Sequence, residues 1–129
     1  MKAIILAAGV GKRLGEISAG KPKCLLEFDG VSLLSRHIAL LVQFGVTDIL
    51  VVSGYRQHEI KAELGRLDYD VNVQTAYNSE YELGSVISLW TAREFLESDD
   101  GVILMDADVL YNPDILHTLF KTKHHNCFL

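Results

Sequence analysis

The sequence predicts an α/β fold in three layers, with a mostly parallel sheet covered by helices on both faces. Three observations carry this. Apolar strand runs alternate with helical patterns in the order β-α-β-α-β-α-β-α, and strands joined through helices lie parallel. The runs Ala3-Ile4-Ile5-Leu6-Ala7-Ala8 and Ile49-Leu50-Val51-Val52 are continuously apolar, as burial on both faces demands. With 129 residues, 49% of them hydrophobic, the chain can form one core but hardly two, so residues 1–129 are read as one domain.

Lys2–Ala8 is the first strand. Leu33–Phe44 is a helix: Leu34, Ile38, Leu41 and Val42 form one stripe, Ser32 stands as N-cap and Gly45 closes it. Asp48–Ser53 is a second buried strand. Gln57–Leu64 follows as a short helix and Val71–Thr75 as a strand. Ser85–Glu97 reads as a helix with Val86, Leu89, Trp90 and Phe95 turned inward, and Val102–Asp106 as another buried strand. Asn112 caps a last helix, Asp114–Lys121, with Pro113 at its first position. Trp90, Phe95, Leu119 and Phe120 are expected in the core. Asn126-Cys127-Phe128-Leu129 has the pattern of a further strand beginning, so the chain is read as part of a longer polypeptide.

Composition narrows the partners. A formal net charge of −5 argues against a general nucleic-acid surface, which needs clustered Lys and Arg. No apolar run approaches the roughly twenty residues of a membrane helix, and the N-terminal run passes too quickly into glycines and cations to serve as a signal peptide. A cytoplasmic location is expected, without nucleic-acid or membrane partners. Cys24 and Cys127 are the only cysteines and lack metal-ligand spacing, so both are expected to be reduced.

The chemistry concentrates where the first strand ends, in Gly9-Val10-Gly11-Lys12-Arg13-Leu14, with Lys21-Pro22-Lys23-Cys24-Leu25 shortly after. Glycines there can take positive φ and let a ligand approach the backbone, whose N–H groups can turn toward oxyanions. Arg13 adds a planar fork and Lys23 a point charge, and a triphosphate fits that combination. Two commoner phosphate loops fail on spacing. The Walker string does not occur, and a dinucleotide fingerprint would need glycine where Leu14 stands.

What these residues resemble is the nucleotidyltransferase signature, L-A-A-G-x-G-x-R-L followed by K-P-K-x-L, standing here as Leu6 to Leu14 and Lys21 to Leu25. The resemblance implies a Rossmann-like sandwich of the nucleotide-diphospho-sugar transferase type, of which this chain would be the N-terminal, nucleotide-binding half. It also implies transfer of a nucleoside monophosphate from a triphosphate to a phosphorylated acceptor, with Arg13 and Lys23 catalytic; the alternative is a module of this fold that binds nucleotide without turnover. Leu6, Ala7, Ala8, Gly9, Gly11 and Lys12 would then border the nucleotide.

Asp106 and Asp108 follow the strand Val102–Leu104. If the extended conformation persists, alternation puts both on one side at the carboxyl end of the sheet, where open α/β sheets bind ligands. Paired carboxylates without a neighbouring imidazole or thiolate suit a hard ion such as Mg²⁺. In the family one aspartate at this strand end binds the metal, and either residue matches a form of that motif. A third segment, Tyr77 to Ser85, opens the helix carrying Ser88-Leu89-Trp90. It resembles the choline-phosphate cytidylyltransferase branch through Asn78, Tyr81 and the Ser88-Leu89 spacing, which implies CTP and a small phosphorylated acceptor, with Asn78, Gly84 and Ser85 near the nucleoside. Sugar-1-phosphate nucleotidyltransferases usually carry Gly-Thr-Ala here; Gly84-Ser85-Val86 departs from it. His124-His125 reads as a solvated pair, and Arg56-Gln57-His58 as a surface loop.

Overall fold

The computed structural model describes residues 1–11, 20–97 and 101–128. Its strands are β1 (Lys2–Ala7), β2 (Glu27–Phe28), β3 (Val31–Ser32), β4 (Asp48–Ser53), β5 (Asn72–Tyr77) and β6 (Val102–Asp106). The helices are α1 (Leu33–Gln43), α2 (Gln57–Leu64), α3 (Ser85–Thr91), α4 (Arg93–Leu96) and α5 (Asp114–Lys121). The central sheet runs in the order β5-β4-β1-β6 and all its pairings are parallel. β1, the most apolar run, therefore lies inside, paired with β4 on one side and β6 on the other.

Two apolar clusters show the three layers. Ala3, Ile5 and Ala7 of β1 and Ile49 and Val51 of β4 pack with Leu34, Ile38 and Leu41 of α1, Ile60 of α2, and Leu119 and Phe120 of α5. Ile4, Leu50 and Val52 point to the other face, against Ala92 and Phe95. The α1 stripe is thus where its spacing puts it, with Leu34, Ile38 and Leu41 fully buried. Each such side chain contributes about 1.5–3 kcal/mol. Ser32 caps α1 by accepting the Ser35 N–H at 3.1 Å, and Gly45 closes it at φ +77°.

Several expectations need correction. The helix expected over Ser85–Glu97 breaks at Ala92, whose φ and ψ of −91° and 5° end α3 before α4 begins. Val86 and Trp90 are 75% and 66% exposed rather than inward. α3 lies over β1 and β4 and turns buried Ser88 toward the sheet, with buried Ala92 following at its C-cap, so Val86 and Trp90, each about 200° round the helix from Ser88, face away from it. Trp90 is instead covered by the Arg93 guanidinium, 5.3 Å from its ring. β6 is the last strand of the described sheet on that side and is half exposed, with Leu104 at 47%, rather than a buried strand. β5 runs on to Tyr77 because the ladder follows β4 to its end, Ser53 opposite Tyr77. A hairpin of β2 and β3, unforeseen from sequence, turns through Asp29-Gly30 with both φ values positive, as a two-residue primed turn requires. Asn126–Phe128 forms no strand; Phe128 stands 99% exposed without a ladder partner.

Candidate active site

β1 brings the chain out of the sheet at Ala7 and Ala8, both buried, and Gly9 is the first residue in solvent. A Cβ on Gly9 would meet nothing within 4 Å, so the approach above it is open. Of the two loop glycines, Gly11 alone takes the left-handed conformation, at φ +72°. A Cβ there would come within 2.8 Å of Lys23 Cγ, so this glycine seats the stem of the lysine. Lys12 and Arg13 lie outside the described residues.

Lys23 opens a single 3₁₀ turn whose other members are anchored. Pro22, Cys24 and Leu25 are buried, and the Leu25 and Leu26 N–H groups donate to the Pro22 and Lys23 carbonyls at 2.9 and 3.0 Å. With its neighbours held in the core, Lys23 projects outward, and its Nζ donates to Asp108 Oδ2 at 3.0 Å. The two meet across 85 positions of sequence because β6 lies beside β1, with Leu6 opposite Asp106. Their side chains are 29% and 40% exposed, a setting in which an ion pair contributes at most about 1 kcal/mol. Its consequence is placement: a cation and a carboxylate held together at the carboxyl edge.

The extended conformation does not persist past Asp106. Ala107 is buried and its N–H donates to the Leu6 carbonyl at 3.0 Å, so Asp108 falls in a turn. The shared face expected from alternation is corrected accordingly. Asp106 borders a cleft of about 510 Å³ that Leu6 and Ser85 also line, while Asp108 faces Lys23. Among the described residues no group of three or more His, Cys, Asp or Glu side chains is arranged to hold a metal. A cation here would rest on these one or two carboxylates and on ligand oxygens, the manner in which Mg²⁺ is held. Softer donors are withdrawn. Burial pushes the Cys24 thiol up to about 12, with the Asp108 charge adding to it, so the sulfur stays protonated. The Lys23 ammonium, 3.0 Å from Oδ2, already stands where a positive charge is accommodated.

Behind this turn is a pair the sequence reading passed over. His37 of α1 is buried, stacks on Tyr111 with centroids 5.2 Å apart, and has Nδ1 3.2 Å from Tyr111 Oη. Burial lowers its pKa, against the raising effects of the Ala107 backbone and the Asp108 charge. The pair braces the segment that follows Asp108. A lone histidine on an apolar helix face carries no such signal, because its partner lies 74 positions away.

The third segment organises itself before it can contact anything else. Asn78 is buried; its Nδ2 donates to Ser88 Oγ at 3.0 Å and its Oδ1 accepts the Glu80 N–H at 2.9 Å. It shapes the loop from within. Gly84 needs its φ of +111°, which L side chains rarely adopt, to turn the chain into α3, and Ser85 emerges exposed at the cleft. Leu6, Gly9, Gly11, Lys23, Ser85, Asp106 and Asp108 thus belong to one edge of the sheet.

Residues 3–128 match the MobA-like NTP transferase domain. The chain belongs to this family. It is 30% identical over 128 residues to the CTP:phosphoglutamine cytidylyltransferase of Campylobacter jejuni, covering 95% of this chain and 49% of that protein. It is 32% identical over 139 residues to the choline-phosphate cytidylyltransferase of Haemophilus influenzae, covering 100% and 57%. The inositol-1-phosphate CTP transferase of T. maritima superposes with a TM-score of 0.80 at 28% identity, over 95% of this chain and 49% of that one. The chain spans about half the length of the relatives it matches.

Proposed function

We propose that this chain is the nucleotide-binding half of a nucleotidyltransferase that moves a cytidylyl group from CTP to a small phosphorylated acceptor such as choline phosphate, with Mg²⁺, and releases pyrophosphate. The observation that carries the reading is the meeting of Lys23 with Asp108 at the end of β1 and β6, beside a glycine loop open to solvent. The relatives named above support the base, since each is named for CTP or for cytidylyl transfer. A cytoplasmic location goes with this reading. Among the described residues no helix is long and apolar enough to cross a membrane.

In this reaction an acceptor phosphate oxygen attacks the α-phosphorus in line, and the bond to the β-phosphate oxygen breaks. Two anions must be brought together and charge on the leaving pyrophosphate stabilised, so catalysis is chiefly positioning and electrostatics. The Gly9–Gly11 backbone and Arg13 hold the β- and γ-phosphates in this reading, with Lys12 beside them. Lys23 neutralises the α-phosphate or the acceptor. Leu6, Ala7, Ala8, Gly84 and Ser85 border the nucleoside, and Asn78 acts through the shape of its loop. Asp106 and Asp108 would hold Mg²⁺, which when bound neutralises charge on nucleotide oxygens. No covalent nucleophile is required.

The test is pyrophosphate release by the full-length protein, with each nucleoside triphosphate against choline phosphate, ethanolamine phosphate, aminoethylphosphonate and sugar phosphates. Turnover with CTP and a small phosphorylated alcohol is expected. The mannose-1-phosphate guanyltransferase of Schizosaccharomyces pombe, 32% identical over 85% of this chain, favours a second reading in which the acceptor is a sugar 1-phosphate. Turnover confined to sugar phosphates would establish that one instead.

A further inference from the structure

The turn between β4 and α2 touches both ends of the phosphate loop. At the near end, the Tyr55 N–H donates to the Ala8 carbonyl at 3.2 Å. Gly54 permits this approach, since a Cβ there would lie 2.9 Å from the Ala8 oxygen and 2.5 Å from Tyr81 Cβ. At the far end, Arg56 Nη1 donates to the Gly20 carbonyl at 2.8 Å. Gly20 is left-handed at φ +77° and lies three residues before Lys23.

Arg56 has a costly backbone conformation. It occupies the left-handed region itself, φ 49° and ψ 42°, where a non-glycine residue is uncommon. Its side chain makes no cap to α2. Its guanidinium is aimed instead, ion-paired to Glu59 one turn on and directed at Gly20. A fork with several donors can serve both partners at once; an ammonium cannot do so in fixed geometry.

We infer that Arg56 is a positioning residue for nucleotidyl transfer, the outer jaw of a clamp whose inner jaw is the Tyr55 N–H, fixing where the glycine loop re-enters the fold at Gly20. The inference rests on the transfer reading above. It separates Arg56 from its neighbour His58, which is exposed.

The decisive variant is Arg56→Gly, because glycine accepts φ 49° without strain while the guanidinium is lost with the rest of the side chain. In the full-length protein its melting temperature should stay close to that of the wild type. The ¹⁵N order parameters at Gly20 and Lys21 should fall from rigid values near 0.85 toward about 0.6. kcat should fall about tenfold or more while the KM for CTP moves little, since a loop released at Gly20 misplaces its backbone donors at the reacting phosphates. Arg56→Lys, which keeps a cation and its donors but not the planar fork, should recover part of kcat. Wild-type kcat in Arg56→Gly would overturn the inference; so would a loss of kcat with unchanged order at Gly20, which would mean direct contact with substrate. If the wild-type protein released no pyrophosphate with any triphosphate, the transfer reading would fail, and the order parameters alone would still judge the clamp.

Discussion

Lys23→Ala should separate activity from stability. The lysine makes one strong described contact, to Asp108 at 3.0 Å, and both side chains are substantially exposed. An ion pair in that setting contributes less than about 1 kcal/mol, so the melting temperature should drop by a few degrees at most. The backbone around it is held by Pro22, Cys24 and Leu25, all buried, and loses nothing when the lysine stem is removed. Catalysis is different. A charged hydrogen bond to a phosphate contributes about 1.5–3 kcal/mol, and each 1.36 kcal/mol is tenfold in rate, so kcat/KM should fall about 10- to 150-fold. The assay is continuous pyrophosphate release alongside thermal unfolding, on the same preparations of the full-length protein. A folded Lys23→Ala protein with wild-type kcat/KM would refute the assignment. A collapse in melting temperature would equally refute the reasoning, because it would make the lysine a structural strut.

Asp108→Asn should abolish turnover and EDTA should do the same, reversibly on adding Mg²⁺; full activity in EDTA excludes the carboxylate metal site. Glu63 bridges α2 to the start of α1, accepting from Ser32 Oγ at 2.5 Å and Ser35 Oγ at 2.7 Å, and the Ser32 bond is the first cause holding its pKa below the ordinary value. A depressed carboxylate stabilises the fold above its unfolded pKa, so that contribution should be complete above about pH 4.5 and lost as pH falls through the lowered value. Denaturant unfolding of wild type and Glu63→Gln from pH 7 to pH 3 should converge toward low pH, and parallel curves would contradict this. CTP should be preferred to UTP in kcat/KM, because groups placed for the cytosine amino edge are left unpaired against a uracil carbonyl; equal use of both would move the chain to another branch of the family.

Much of this protein is local and therefore legible without a structure. The continuous apolar runs of β1 and β4 demand burial on both faces, and the i, i+4, i+7 stripe of α1 demands a sheet to lie on. Ser32 and Gly45 mark the ends of α1 through backbone chemistry that neighbours alone decide. The glycine loop with its cations and the two aspartates were visible as types of residue in order, because their spacings are short. Tertiary structure alone decided how they combine. That Lys23 lies on Asp108 depends on β6 pairing with β1, a contact between positions 85 apart. That Val86 and Trp90 face solvent depends on which face of α3 the sheet takes, and it takes the one carrying Ser88. That Arg56 reaches Gly20 depends on a left-handed arginine and a turn packed against Ala8. Periodicity reports which face of an element is apolar; whether another element covers that face is a property of the assembled sheet.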